Sequence, residues 1–199
     1  MQALFSGLLM VVSGPSGVGK GTVCKLLCEM DANIVLSVSA ATREPRPHER
    51  EGEHYYFLSR QEFLEKIAAG EFLEWAEVYG NFYGTLTCQV QKQLKAGKDV
   101  ILEIDTQGAM QIRSACPDAV FVFIMPPSYG DLQNRLKGRA ADSAQSISLR
   151  LSKSAEEMSQ AKEYDYRIVN NTAEQTAEEL LDLLNKEKCR RRKVRKDAE

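Results

Sequence analysis

The sequence has no apolar run of membrane-spanning length. Its first twelve residues lack the basic start and small-residue cleavage site of a secretory signal, so neither an anchor nor export is expected. The five cysteines are odd in number and show no framework spacing, which excludes a disulfide scaffold and fits reduced thiols in a cytoplasm. Cys24 and Cys28 stand one helical turn apart, but no His or further Cys lies near them in the sequence. They read as small, partly buried residues rather than metal ligands. Repeats and low-complexity linkers are absent, so solenoid and multi-domain arrangements are not expected. What remains is ordinary for a globular protein: 199 residues, 43% hydrophobic and 27% charged, enough for one domain with a proper core.

Net charge is small but unevenly spread. The net charge is −2, yet residues 186–199 carry eight Lys or Arg against three acids, a net +5 that leaves −7 over residues 1–185. The run from Arg190 to Lys196 reads as the solvated, fraying end of a last helix, where cations suit the helix dipole. Contact with nucleic acid or anionic lipid is the other reading of such a run.

The chain is organised around one stretch. The chargeless run Leu8-Leu9-Met10-Val11-Val12 ends in Ser13-Gly14-Pro15-Ser16-Gly17-Val18-Gly19-Lys20-Gly21-Thr22, and a helix-compatible segment follows at 23–29. Gly14, Gly19 and Lys20 match the phosphate-loop pattern G-x-x-x-x-G-K between a buried strand and a helix. Glycines let backbone N–H groups curl around a polyphosphate, and the helix N-terminus adds positive potential. Lys20 is then a mobile point charge for the outer phosphates.

Further along, residues 33–38 read as a strand, and 42–52 as an exposed irregular loop in which Pro45 stiffens the spacing between Arg43 and Arg46. Two guanidinium forks so spaced suit a second phosphate. Strand 54–58 leads to a capping box at Ser59 and Glu62, which opens a helix closed by Gly70. Strand 72–79 precedes a predicted turn at 80–84. A helix at 86–96 and strand 99–105 follow, and the strand ends in Asp105 as a Walker B element does. Helix 107–115, strand 119–125, two helices carrying Arg135, Arg139 and Arg150, strand 166–170 and helix 173–188 complete the chain. Near-continuous apolar strands alternating with helices predict an α/β fold with a parallel sheet covered on both faces. The aromatic, β-leaning middle third reads as an insert in that framework.

Four stretches fall in order: the phosphate loop, Ser37-Val38-Ser39 through Thr42-Arg43-Glu44-Pro45-Arg46, Glu74-Trp75 through Gly80-Asn81-Phe82-Tyr83-Gly84-Thr85, and Ile104-Asp105-Thr106-Gln107-Gly108. With the arginines at 135, 139 and 150, they resemble guanylate kinase from about Leu8 to Asn171. The resemblance implies a P-loop kinase core with a five-stranded parallel sheet (1–38, 91–130, 163–199), a nucleoside-monophosphate-binding insert (39–90) and a small helical lid (131–162). It implies transfer of the γ-phosphoryl group of ATP, bound with Mg2+, to GMP, with no membrane or nucleic-acid partner. By position, Arg43, Arg46, Tyr55 and Tyr83 would hold the GMP phosphate, with Ser39, Glu74, Thr85 and Asp105 around guanine. Gly14, Pro15, Ser16, Gly17, Val18, Gly19, Lys20, Gly21, Thr22, Arg135, Arg139 and Asn171 would serve ATP. Lys20, Arg43, Arg139 and Arg150 would stabilise the transferring group, Arg150 also reaching GMP.

The chain departs from the family pattern at four places. Gly21 stands where many phosphate loops carry the Ser or Thr that binds Mg2+, with Thr22 one place late. Ala140 and Ala141 replace a Gly-Thr, His48 replaces a glycine, and Asn171 replaces an aspartate. Two other classes share parts of this pattern. Phosphopeptide-binding relatives typically lose the loop lysine, which is kept here. A kinase of a ribose bisphosphate would not need Glu74, Ser39 and Thr85.

Overall fold

The computed structural model describes residues 7–78, 80–137 and 144–196, with side chains at 136–137, 144–151 and 194–196 left out. Strands β1 (Leu9–Ser13), β2 (Ile34–Leu36), β7 (Asp99–Glu103), β8 (Val120–Met125) and β9 (Tyr166–Val169) form a parallel sheet in the order β2-β7-β1-β8-β9. Central β1 has Val11 beside Leu102 on one side and Phe121 on the other. Alternation along β1 explains the continuous apolar run. Leu8, Met10 and Val12 face helices α1 (Lys20–Met30) and α7 (Ala173–Lys196), where Val23, Leu27, Leu180 and Leu184 are buried. Leu9 and Val11 face α3 (Thr87–Lys95) and α4 (Thr106–Ala115) through Val90, Leu94, Ala109 and Ile112. Cys24 belongs to the first of these layers, and no group of three potential metal ligands occurs among the described residues.

A second sheet, of order β4-β3-β6-β5, stands apart from the first. It comprises β3 (Ser39–Ala41), β4 (Tyr55–Phe57), β5 (Phe72–Val78) and β6 (Asn81–Leu86). Helix α2 (Arg60–Ala68) covers it, and Phe63 stacks between Phe72 and Phe82 at centroid distances of 4.2 and 5.4 Å. The capping box at Ser59 and Glu62 is present, each group bonding the other's backbone N–H.

Three expectations are corrected. Residues 81–84 are strand rather than turn. Only Gly80, at φ 80°, belongs to the described part of the turn, and Gly84 pairs with Ala40 and Trp75. Short β3 was not foreseen, because its small residues carry no β-branched signal. Helix α7 runs on through Lys196, so the basic run is helical. Its base is tied down by Lys188, whose ammonium lies 2.6 Å from the fully buried Asp99 carboxylate. Helices α5 (Tyr129–Lys137) and α6 (Ala144–Ser159) lie between β8 and β9. Among the described residues no helix is long and apolar enough to cross a membrane.

Candidate active site

The phosphate loop joins β1 to α1. Gly14 adopts φ 151°, and a Cβ there would collide with the Ile124 carbonyl. Gly19 caps α1 at φ 100°, where a Cβ would come within 2.8 Å of Asn170 Nδ2. Only glycine fits these two positions. No acidic residue belongs to the first turn of α1, so none of its own side chains offsets the N-terminal potential. Lys20 folds back, its Nζ donating to the carbonyls of Gly14 at 2.7 Å and Pro15 at 3.3 Å. Burial pushes the ammonium pKa down, while Glu103, Glu157 and Asp105 oppose that shift.

Distant residues brace the loop. The Val18 carbonyl accepts from Asn170 Nδ2 at 2.7 Å and from Arg135 Nη1 at 3.0 Å, and Arg135 Nη2 donates to the Asn170 carbonyl at 3.1 Å. The Asn170 Oδ1 in turn accepts from Thr176. Ser16 N–H donates to a carboxylate oxygen of Glu157 on α6 at 3.2 Å. An anion therefore already lies at the loop amides, as their geometry favours. Gly21 and Thr22 are exposed at the start of α1, and a Cβ on Gly21 would lie 3.4 Å from Glu103 Oε2. Burial raises the Glu103 pKa, and Lys20 opposes the rise.

Across from the loop, the second sheet gathers another set. Arg43 follows β3, and its guanidinium lies 4.8 Å from the Tyr55 ring centroid. The Tyr55 and Tyr83 rings are 6.2 Å apart. Arg43 is engaged bidentately by Glu49 at 2.6 and 2.7 Å, and Glu49 also accepts from Arg46 N–H at 2.9 Å. These bonds hold the Glu49 carboxyl down at about 2, Arg43 contributing most. The Arg46 side chain is exposed.

Glu74, on β5, is only 6% exposed. Its Oε1 accepts from the Thr85 hydroxyl at 2.6 Å across the β5–β6 pair. Its Oε2 lies so close to α4 that a Cβ on Gly108 would be 2.6 Å away. Burial pushes its pKa up to about 7 against the pull of the Thr85 hydrogen bond. Asp105 stands two residues beyond β7 and caps α4 by accepting from Gly108 N–H at 2.8 Å.

A family model for guanylate kinase matches residues 6–187. The guanylate kinase of Clostridioides difficile is 48% identical over 182 residues, covering 92% of this chain and 89% of its own length. That of Carboxydothermus hydrogenoformans is 46% identical over 191 residues, covering 96% and 94% respectively. The crystal structure of guanylate kinase from Anaplasma phagocytophilum, 39% identical, superposes with a TM-score of 0.75 over 92% of this chain and 87% of that one. The chain belongs to the guanylate kinase family.

Of the residues that the guanylate kinase resemblance singles out, Arg43, Tyr55 and Tyr83 come together at one side of the second sheet. Glu74, Thr85 and Asp105 gather near the first turn of α4, and Ser39 lies on β3, paired with Tyr55. Residues 14–22 form the loop and the start of α1 as expected. Arg135 faces the loop's carbonyls rather than solvent. Asn171 is exposed, its N–H on the Val169 carbonyl, whereas its neighbour Asn170 supports the loop. The acid that ends β7 is Glu103; Asp105 is a helix cap. Arg150 lies on α6 with its side chain outside the described residues; Arg139, Ala140 and Ala141 lie outside them altogether. Sequence reasoning missed Glu49, Glu103, Gly108, Glu157 and Asn170. Only Glu103 carried a local signal, as the acid closing an apolar strand.

Proposed function

We propose that this enzyme transfers the γ-phosphoryl group of MgATP to GMP, giving ADP and GDP, in the purine nucleotide metabolism of the cytoplasm. The observation that carries this reading is Glu74: a buried carboxylate that Thr85 holds and that feels the charge of Asp105, which also acts on the phosphate-loop Lys20. Guanine offers adjacent N1–H and N2–H donors that one carboxylate accepts together, and an O6 acceptor suited to a hydroxyl. Thr85 orients the Glu74 carboxylate, Ser39 serves the O6 side, and Asp105 completes the surround. Arg43, Tyr55, Tyr83 and Arg46 hold the GMP phosphate, for which Glu49 stands in when no nucleotide is bound.

On the donor side, the backbone N–H groups of the loop, Gly17 and Gly19 among them, and the N-terminus of α1 receive the ATP phosphates, Pro15 having no N–H to offer. Lys20 leaves the Gly14 and Pro15 carbonyls for the outer phosphates, and Arg135, Arg139 and Arg150 act from the lid, Arg150 reaching GMP as well. Asn171 is assigned to the adenine end. The acceptor is already an anion at neutral pH, so its oxygen attacks the γ-phosphorus in line without a general base, and ADP leaves with its new negative charge neutralised. Mg2+ fits this donor set: Gly21 supplies no hydroxyl, but the Glu103 carboxylate beside it is a hard oxygen ligand of the kind Mg2+ takes together with phosphates. Bound there with ATP, it would offset β- and γ-phosphate charge.

The division into a core (1–38, 91–130, 163–199), a GMP-binding insert (39–90) and a lid (131–162) accords with the separate second sheet and with α5 and α6 between β8 and β9. No membrane or nucleic-acid partner is part of this reading. A coupled ADP-release assay with ATP and a panel of nucleoside monophosphates tests it. Turnover should be greatest with GMP; preferential turnover of another acceptor would reject the assignment.

A further inference from the structure

Strand β5 is an edge strand, paired with β6 on one side only. Its outward backbone groups at Trp75 are nonetheless both satisfied. Trp75 N–H donates to Gln111 Oε1 at 3.1 Å, and Gln111 Nε2 donates to the Trp75 carbonyl at 2.9 Å. One side-chain amide on α4 thus does for Trp75 what a neighbouring strand would do.

Gln111 also lies three residues after Gly108, on the same face of α4. Gly108 supplies the clearance for the Glu74 carboxylate, and Gln111 grips the next residue of the same strand. The Trp75 N–H belongs to the planar peptide unit that carries the Glu74 carbonyl. Holding that plane restrains the backbone from which the Glu74 side chain leaves.

We propose that Gln111 is a positioning residue for acceptor recognition: its paired hydrogen bonds to Trp75 hold Glu74 at the angle needed to accept two guanine donors. This rests on the reading that Glu74 recognises guanine. Gln111 touches no substrate and is exposed, so its loss leaves the core intact. It also joins the insert's outer strand directly to the core helix that ends at Ala115.

The test uses Gln111→Met, which keeps length and packing but removes both hydrogen bonds. Trp75 is the only tryptophan in the chain, so its fluorescence reports GMP binding without turnover. The Kd and KM for GMP should rise about tenfold, with kcat and the KM for ATP changed less than about twofold, the pattern of lost ground-state binding. Discrimination between GMP and inosine monophosphate should narrow, and hydrogen exchange at the Trp75 amide should quicken. An unchanged GMP affinity, or parallel losses for GMP and ATP, would overturn the proposal. Glu74→Gln in the same titration separates the two ideas. If it weakens GMP binding while Gln111→Met does not, only the positioning role fails. If Glu74→Gln binds GMP normally, the guanine reading fails and the positioning role falls with it.

Discussion

At one edge of the second sheet Glu49 lies in the fork of Arg43 and on the Arg46 amide; at the other, Glu74 lies buried over α4 with the Thr85 hydroxyl on it. Two carboxylates of one subdomain are thereby driven in opposite directions, Glu49 down to about 2 and Glu74 up to about 7. Glu49 has its full set of donors in the free protein. Glu74 is desolvated before its donors arrive. In the proposed mechanism each fills a need of the same substrate: Glu49 keeps the Arg43 guanidinium and the Arg46 backbone N–H assembled until a phosphate replaces it, and Glu74 waits for a base that brings two N–H groups. A site whose buried acceptor lacks partners is selective, because a ligand that cannot supply them leaves the penalty in place.

The largest effect should come from removing that unmet demand. Glu74→Gln offers guanine one acceptor and sets a donor against a donor, so kcat/KM for GMP should fall by about 10³-fold. In the unmodified enzyme kcat/KM should fall in the order GMP, inosine monophosphate, adenosine monophosphate. Equal use of GMP and adenosine monophosphate would remove Glu74 from base recognition.

The same substitution should act on stability with the opposite sign. The folded pKa of Glu74 is raised from 4.5 to about 7. Its contribution is fully present below pH 4.5, where both states are protonated, and is lost progressively as the pH rises to about 7 because the unfolded chain ionises first. The shift corresponds to about 3 kcal/mol as an order of magnitude. Glu74→Gln should therefore be more stable than the parent at pH 8, with the gap closing below about pH 5. Glu49 has the reverse dependence, its stabilisation present above 4.5 and lost as the pH falls through about 2. Denaturant midpoints of Glu74→Gln and Glu49→Gln from pH 3 to 8 check this: the first should flatten the slope above pH 4.5, the second the slope below it. Parallel curves for the two variants would show that the environments do not differ as described.

A smaller effect separates acceptor from donor chemistry. Lys20 takes no part in the Glu49–Glu74 contrast but ends the phosphate loop. Lys20→Ala should lower kcat by about 10²-fold through lost stabilisation of the transferring group. GMP binding, followed by Trp75 fluorescence, should stay near normal. A folded variant with ordinary turnover would contradict the role given to the loop lysine.

How much of this was legible in sequence follows from the range of each interaction. The phosphate loop, the apolar strands and the Ser59–Glu62 box are set within a few residues of one another, and local pattern finds them. The bracing of the loop is not local: Asn170 reaches Val18 across 152 positions, and Glu157 reaches Ser16 across 141. No periodicity encodes such partners, and the family pattern points to Asn171 rather than Asn170. Gly84 reads as a turn residue, yet it lies in a strand, and it is glycine because a Cβ there would press within 2.8 Å of the Glu74 carbonyl. Gly108 is likewise unremarkable until the carboxylate above it is known. Glu74 itself was found through the family pattern; its desolvation needed the fold.

The smallest effect is the most direct reading of that desolvation. Below about pH 7 the free enzyme holds a proton on Glu74, and a protonated carboxyl cannot accept both guanine donors. GMP must then expel the proton, so its apparent Kd should rise about tenfold per pH unit once the pH is well below 7, and level off above it. Guanine N1 and the phosphate's first ionisation do not titrate between pH 5.5 and 7. The second phosphate ionisation, near pH 6, does, and would bend the same curve. Guanosine, which has no phosphate, separates them: its weaker affinity should retain the bend near pH 7 in the parent and lose it in Glu74→Gln. ATP affinity, measured alongside, should lack a bend at that position. Calorimetry with guanosine in buffers of different ionisation enthalpy should register close to one proton released per guanosine at pH 6 and none at pH 8.5. A guanosine profile that is flat from pH 5.5 to 8 in the parent would mean that Glu74 is already ionised in the free protein, and that its burial is relieved by a partner other than Thr85.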